Sequence, residues 1–467
     1  MEKIINGTAY ECYPLNTSQT FLYYTQLAYT DKVESLNIGM SMQFKGDLDF
    51  DVLADAVKDA YKRNEYSRIC LTKEGETFLQ YILPEDDRTP EIVDLSDMSE
   101  DEAYKTIDNW TRQPFNIWES KLNYIRFLKL PNGKSGYYIN TYHLQMDAYS
   151  TQMFLYDILD LYLAKKGLAP EPKPMRSYVE ALNKELQYNG SQRQIEDVMF
   201  WKNEIDNFNP IFTDYIRPSR LKEFREKTGN PELRAAGVYG VQSEGNVIKF
   251  SLTAEETKQI TDFAEQNKVS VPCILMTGLR CALSSFNERE SNISFRLMLN
   301  RRATLLEKRS GGTTVNFVNM RTDVPENTSF LDTVKNYAAY QNQIFKHSDL
   351  NYIKLLQLQA EKDKNPPLYV YEAIGFSYWS PMAHALPEDI KNNMDLVLYS
   401  NHASQQNLYI SIFHRPQDNA LEFCFEYLMV EKPEEDLKDL YAAMKKSMLM
   451  GSANGDVTLG EILDNLN

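Results

Sequence analysis

The chain has 467 residues, too many for one ordinary hydrophobic core, so at least two domains are expected. Hydrophobic residues at 43% and charged residues at 25% give the balance of a soluble globular protein, and no run of about 18 apolar residues exists to span a membrane. A net charge of −16 argues against nucleic acid as partner, because phosphate binding needs clustered cations, and the densest basic stretches, 217–227 and 301–309, are both interrupted by glutamates.

The N-terminus, MEKIINGTAYECYPL, has no basic region followed by an apolar run, so it does not read as a signal peptide. Cys12, Cys70, Cys273, Cys281 and Cys424 are scattered and odd in number, which suggests neither a disulfide framework nor a CxxC metal site. A cytoplasmic, monomeric protein is expected. Residues 14–27 read as a loop and a helix start, with Asn16, Thr17 or Ser18 as the cap. A strand is predicted at 38–44, an amphipathic helix at 48–63, short strands at 68–71 and 77–82, and a helix at 98–110. Strands at 122–130 and 137–144 are joined by the turn Pro131-Asn132-Gly133-Lys134, and a strong helix follows at 149–165. The run APEPKP at 169–174 cannot form a regular helix and is the linker candidate, which puts the domains at 1–175 and 176–467.

The second half is mostly helical over 178–208, then loop to about 245. A strand is predicted at 246–252, and Thr253 with Glu256 forms a capping-box pattern that opens a helix. Pro272 sits in the first turn of another. Further strands are expected at 293–299, 313–320, 373–378, 394–400, 408–414 and 421–427, with helices at 330–346, 352–361 and 433–450. Mixed strands and helices in both halves indicate two α/β lobes of similar kind.

One stretch carries chemistry. GYYINTYHLQMDAYS, residues 136–150, begins as a buried strand and delivers His143 to a turn before a helix N-terminus. That setting can hold a general base still, and imidazole titrates near neutral pH. Asp147 can cap the helix by accepting from N–H groups just inside it. The N–H of Ala148 or Tyr149 lies where the helix dipole favours an anion, and Ser150 could donate there or serve the cap. His347, His384, His402 and His414 show no HxH or HExxH spacing, so no metal is expected; no Walker A or GxGxxG pattern supports a nucleotide.

YHLQMDAYS at 142–150 resembles the HHxxxDG motif of the chloramphenicol acetyltransferase-like superfamily, and most of all the condensation domains of nonribosomal peptide synthetases. Companions follow in order. YPLNTSQTFL at 13–22 resembles the first motif of that family, with Gln19 at the glutamine position. RNEYSR at 63–68 resembles RHExLR with Asn64 for histidine, and SYVEA at 177–181 the tyrosine-containing motif after the active-site helix. GTTVNFVNMR at 312–321 matches GxFVNxxxxR at Gly312, Val315, Asn316 and Arg321. HSDLNYIKL at 347–355 resembles HQDxPFEKL, and NPPLY at 365–369 resembles RNPLF with an extra proline.

The resemblance implies two acyltransferase-like lobes in a V-shaped arrangement with the active site between them. It makes His143 the base and turns Asp147 into one half of a buried ion pair with an arginine of the second lobe. Counting back from Asn316 selects Arg302, and a one-residue slip would select Arg301 instead. Asn316 and Arg321 are then expected to secure a strand or crossover, with Ala148, Ser150 and Asn316 as oxyanion or substrate-channel candidates. Tyr142 and Ala148 depart from the motif, where histidine and glycine are usual.

The activity implied is amide formation between an acyl or aminoacyl thioester, tethered to phosphopantetheine on a carrier protein, and a small-molecule or carrier-bound acceptor amine. No permanently bound cofactor is implied. The alternatives are a coenzyme A-dependent O- or N-acyltransferase and a non-catalytic member that docks carriers. No adenylation motif or carrier serine follows the matched region, so either a freestanding domain or one excised from a longer synthetase is expected.

Overall fold

The aromatic run before His143 folds as the centre of a sheet, and the rest of the first unit is built outward from it. The computed structural model describes residues 1–28, 32–238, 243–365, 369–379, 386–415 and 418–466. Among them the first half contributes β1 (Glu2–Ile5), β2 (Thr8–Pro14), β3 (Asn37–Lys45), β4 (Ile69–Glu74), β5 (Thr77–Ile82), β6 (Glu91–Asp94), β7 (Asn123–Leu130) and β8 (Lys134–Tyr142). The second half contributes β9 (Gly245–Ser251), β10 (Asn292–Leu299), β11 (Asn316–Asp323), β12 (Ile374–Trp379), β13 (Met394–Tyr399), β14 (Leu408–His414) and β15 (Leu421–Leu428).

The chain divides into two compact units. Unit 1 comprises Met1–Gln194, Asn300–Asn316 and Ala383–Ala403; unit 2 comprises Ile195–Leu299, Phe317–Met382 and Ser404–Asn467. The boundary expected at 175 falls within the first segment of unit 1. The APEPKP run forms neither helix nor strand and stays inside unit 1. There Arg309 Nη2 donates to the Lys173 carbonyl at 2.9 Å, and the Arg176 N–H donates to the Arg309 carbonyl at 3.0 Å. A proline-rich run breaks a helix without separating domains.

Unit 1 holds a five-stranded sheet in the order β13-β3-β8-β7-β6 and a smaller one in the order β1-β2-β5-β4. In β8, residues 135–142 are all buried, and Tyr137, Tyr138 and Ile139 supply apolar bulk to both faces. Its odd residues face the helix Ala148–Lys165, and the Tyr137 hydroxyl donates to the Leu155 carbonyl at 2.8 Å. Its even residues face Glu100–Thr111, where Tyr138 packs with Ala103, Ile107, Leu128, Leu130 and Tyr399. Helix Ala148–Lys165 buries Phe154, Leu155, Ile158 and Leu159 completely or nearly so, each worth about 1.5–3 kcal/mol in burial. The edge is supplied from far along the chain: β13 pairs antiparallel with β3 from Met394↔Phe44 to Tyr399↔Gly39.

Unit 2 holds a six-stranded sheet in the order β11-β10-β12-β14-β15-β9, with β10, β12 and β14 parallel. Helix Val271–Phe286 is buried along nearly its whole length and packs against β10 and the helices Phe330–Lys346, Glu434–Ala453 and Leu459–Leu466. No single helix among the described residues is long and apolar enough to cross a membrane.

Several predicted elements lie where the periodicity placed them, including 77–82, 330–346 and 408–414. The hairpin β1–β2 was not anticipated, although Asn6-Gly7 between the two strands, both with positive φ, is a strong two-residue hairpin signal. Strand β6 and the helices Leu221–Thr228 and Leu459–Leu466 also form outside the predicted elements. The resemblance at NPPLY falls partly on 366–368, and His384 also lies outside the described residues.

Candidate active site

The predicted strand at 137–144 stops at Tyr142, because the chain turns over residues 143–146 before the helix begins. His143 therefore sits in the turn, and its peptide is held at both ends. Its N–H donates to the Leu36 carbonyl at 2.8 Å, and its carbonyl accepts from the Thr313 hydroxyl. An edge of the residue stays open to solvent, but the surrounding protein is dense enough for desolvation to dominate. Burial pushes the imidazole pKa below its ordinary value, and the nearby Asp147 carboxylate opposes this only in part. Nδ1 is sealed from solvent and makes no hydrogen bond to the described residues.

Asp147 does both things that its two readings offered. Oδ1 caps the helix by accepting the Ser150 N–H at 2.9 Å and also accepts from Arg302 Nη2 at 3.0 Å. Oδ2 lies 2.8 Å from Arg302 Nη1 and accepts the Thr314 N–H at 3.0 Å. Both charged side chains are 1% exposed, so this is a buried bidentate pair in which each carboxylate oxygen is used twice. Burial alone raises the Asp147 pKa, but the guanidinium and the two N–H donors outweigh it and leave the carboxyl below its usual range. Arg301 points elsewhere, to Glu185 at 2.8 Å, which removes the one-residue ambiguity. Although Arg302 comes late in the chain, it belongs to unit 1, so the brace lies within one unit rather than joining it to a second lobe.

Ser150 differs from its expected role. Its hydroxyl donates to the Gly312 carbonyl at 2.6 Å and accepts from Arg302 Nη2 at 2.8 Å, so its one proton is already engaged. The N–H groups of Ala148 and Tyr149 make no hydrogen bond to the described residues. They are the open donors at this helix end. Asn316 is fully buried at the head of β11. The strand predicted at 313–320 starts only there, because residues 312–314 spend their backbone groups on the His143 turn. The Gly312 carbonyl alone accepts from Asp147 N–H, Ser150 and Arg302.

Gly312 has φ +80°, and a Cβ added there would lie 2.4 Å from Tyr178 Cε2. Gly312→Ala is expected to lower stability by at least about 1–3 kcal/mol, read as a shift in denaturant midpoint. An unchanged midpoint would show that this loop yields freely.

Other quoted motif residues are supports. Asn16 caps the first helix, accepting from the Gln19 N–H at 2.8 Å, and its Nδ2 donates to the Thr313 carbonyl at 2.8 Å. Gln19 Nε2 donates to the Leu144 carbonyl at 2.9 Å, so the first motif holds the turn that carries His143. Asn64 donates to Asp157 Oδ2 at 2.7 Å from below the helix. Tyr142 is 1% exposed, against Phe115 and Gln26. In unit 2, Arg321 pairs with Glu372 at 2.9 Å, and His347 Nδ1 lies 2.7 Å from Asp197. His402 Nε2 lies 2.5 Å from Asp108, and His414 Nε2 lies 2.9 Å from the Tyr378 hydroxyl. Among the described residues no three His, Cys, Asp or Glu side chains gather as a metal site. Gly312, Thr313 and Thr314 are the site residues whose roles the sequence did not assign; the double glycine at 311–312 was the available signal.

The mixed α/β chain has the chloramphenicol acetyltransferase-like fold of solved condensation domains. Residues 9–463 match the Condensation domain family, and the chain belongs to it. A plipastatin synthase polypeptide of Bacillus subtilis is 23% identical over 429 residues, 91% of this chain and 16% of that protein. The chain thus spans about a sixth or less of the curated relatives it first matches. The first condensation domain of the calcium-dependent antibiotic (CDA) synthetase superposes with a TM-score of 0.78 at 18% identity, covering 97% of this chain and 98% of that one. A starter condensation domain of rhizomide synthetase, solved with C8-CoA, gives 0.77 at 15% identity over 96% of each chain.

Proposed function

We propose that the chain forms an amide bond between a carrier-tethered acyl or aminoacyl thioester and an acceptor amine, with His143 as general base. The observation that carries this reading is the fixed His143 peptide beside open helix N–H groups, in a chain of the Condensation domain family. The amine nitrogen attacks the thioester carbon, and the C–S bond breaks as the tetrahedral intermediate collapses. Imidazole takes the amine proton and returns one to the departing phosphopantetheine sulfur. With Nδ1 sealed from solvent, Nε2 is the nitrogen left to accept that proton. The N–H of Ala148 or Tyr149 stabilises the developing oxyanion. No covalent acyl-enzyme is needed. The carrier protein is the partner, and the phosphopantetheine thioester arrives as substrate rather than as a resident cofactor.

The test is to incubate the protein with an acyl-loaded carrier and a panel of amines and alcohols, beside the same acyl group on coenzyme A. Amide formed from the carrier-bound donor is the expected result. Equal or faster turnover from acyl-CoA would replace the carrier with coenzyme A as the donor. Carrier binding without any turnover would favour a docking role.

A further inference from the structure

The basic stretch 301–309 is interrupted by Glu307 in the sequence, but the fold removes that interruption. Glu307 is held by Lys184 at 2.9 Å and by its capping bonds to Thr304. Lys308 and Arg309 are left, and they meet a second basic segment at 173–176. Arg309 Nη2 donates to the Lys173 carbonyl at 2.9 Å, the same oxygen accepts from Arg63 Nη2, and the Arg176 N–H donates to the Arg309 carbonyl at 3.0 Å. Two guanidinium groups thus converge on one carbonyl oxygen, where like charges repel. Arg63 is offset by Asp157 at 3.5 Å. Among the described residues Lys173, Arg176, Lys308 and Arg309 form no ion pair, and Lys173, Arg176 and Lys308 are exposed. Other carboxylates nearby are directed elsewhere. Glu65 accepts from the Ser177 hydroxyl and the Val179 N–H, and Glu171 acts on Lys165. Glu180 sits in the first turn of Tyr178–Leu186, where the helix dipole favours it. A local excess of cations on a chain of net charge −16 is a site for an anion.

These residues and the His143 turn all belong to unit 1. Tyr149 joins the two. Its N–H is one of the open donors at the helix start, Arg302 Cζ lies 4.7 Å from its ring centre, and its hydroxyl donates to the Lys308 carbonyl at 3.4 Å. The cations therefore begin beside the helix end assigned to the thioester oxygen. A phosphopantetheine arm carries its thioester at one end and a phosphodiester at the other, with only neutral amides and a hydroxyl between. The phosphate is the one charge on that arm, and so the one part that a cluster of cations can hold. We propose that Lys173, Arg176, Lys308 and Arg309 anchor the phosphodiester of the carrier-borne donor arm, an inference that rests on the proposed transfer from that arm.

Arg176→Gln/Lys308→Gln removes two exposed charges and leaves the Arg63 and Arg309 bonds to the Lys173 carbonyl in place. The measurement is kcat/KM with acyl-phosphopantetheine, with acyl-pantetheine, which lacks the phosphate, and with acyl-CoA. Wild type is expected to prefer the phosphorylated donor, and the double variant to lower that preference about 3- to 10-fold. Added salt should shrink the wild-type preference in the same direction. Equilibrium binding of phosphopantetheine and of pantetheine, read by ligand-observed NMR, supplies a readout independent of turnover and should show the same loss. Equal binding and equal kcat/KM for the two donors in wild type would overturn the anchor. So would a preference that survives in the double variant, or a loss of the same size on both donors. A preference for acyl-CoA over acyl-phosphopantetheine that the variant loses would give the cluster to the nucleotide phosphates of coenzyme A instead. If no donor turns over, the proposed reaction fails, and phosphate-dependent binding abolished by the double variant would still establish the anchor.

Discussion

His143→Ala is expected to lower kcat for acyl transfer from a loaded carrier by about 10²–10⁴-fold, with KM nearly unchanged and the fold intact. The magnitude is that of removing a positioned general base, since helix N–H donors and substrate orientation would still act. Stability should be little affected, because the anchoring bonds of this residue come from its peptide and not its ring. The pH profile gives an independent check. Burial depresses the imidazole pKa, so the base remains deprotonated below the ordinary histidine value of about 6.5. The acid limb of kcat/KM should therefore have its midpoint below that value. The stability effect has the same sign: the contribution is present above about pH 6.5 and is lost as pH falls through the folded pKa. An acid limb well above 6.5, or turnover by His143→Ala equal to wild type, would sink the base assignment.

Asp147→Ala and Arg302→Ala should each cost about 3–5 kcal/mol of unfolding free energy, because either change leaves a buried charge without its partner. Asp147→Ala also removes the acceptor of the Ser150 and Thr314 N–H groups, and Arg302→Ala strips donors from Ser150 and the Gly312 carbonyl. The double mutant should lose clearly less than the sum of the two. Additive losses would count against direct coupling. Arg302→Lys should not rescue, since Nη1 and Nη2 reach different carboxylate oxygens and one ammonium cannot replace that fork. Because the folded Asp147 pKa is depressed, the stabilisation is present above the ordinary carboxylate value of about 3.9 and fades as pH drops through the folded value.

How far the sequence could be read followed the range of the interactions. Local patterns sufficed for β8, whose apolar run marks a strand buried on both faces, and for the cap at Asp147, four residues beyond the base. The arginine partner required the spacing of a family motif, because nothing near Asp147 in the chain points 155 residues ahead. The type and place of Ser150 allow either a donor or a capping role; only the Gly312 carbonyl shows where its proton goes. Thr313 and Thr314 look like the start of a strand because threonine favours one, but residues 312–314 turn their backbone toward the histidine loop. Unit membership was equally invisible, since hydropathy does not reveal which remote segment completes a sheet edge.

The pairing of β13 with β3 also bears on synthesis and folding. A ribosome must translate most of these residues before 394–399 exist, and until then β3 presents an uncovered edge. The Asp147–Arg302 brace waits almost as long. An N-terminal fragment cut at any point before residue 300 therefore lacks both closures. Such a nascent chain is a natural client for chaperones, and unit 1 can mature only after its last strand has left the ribosome.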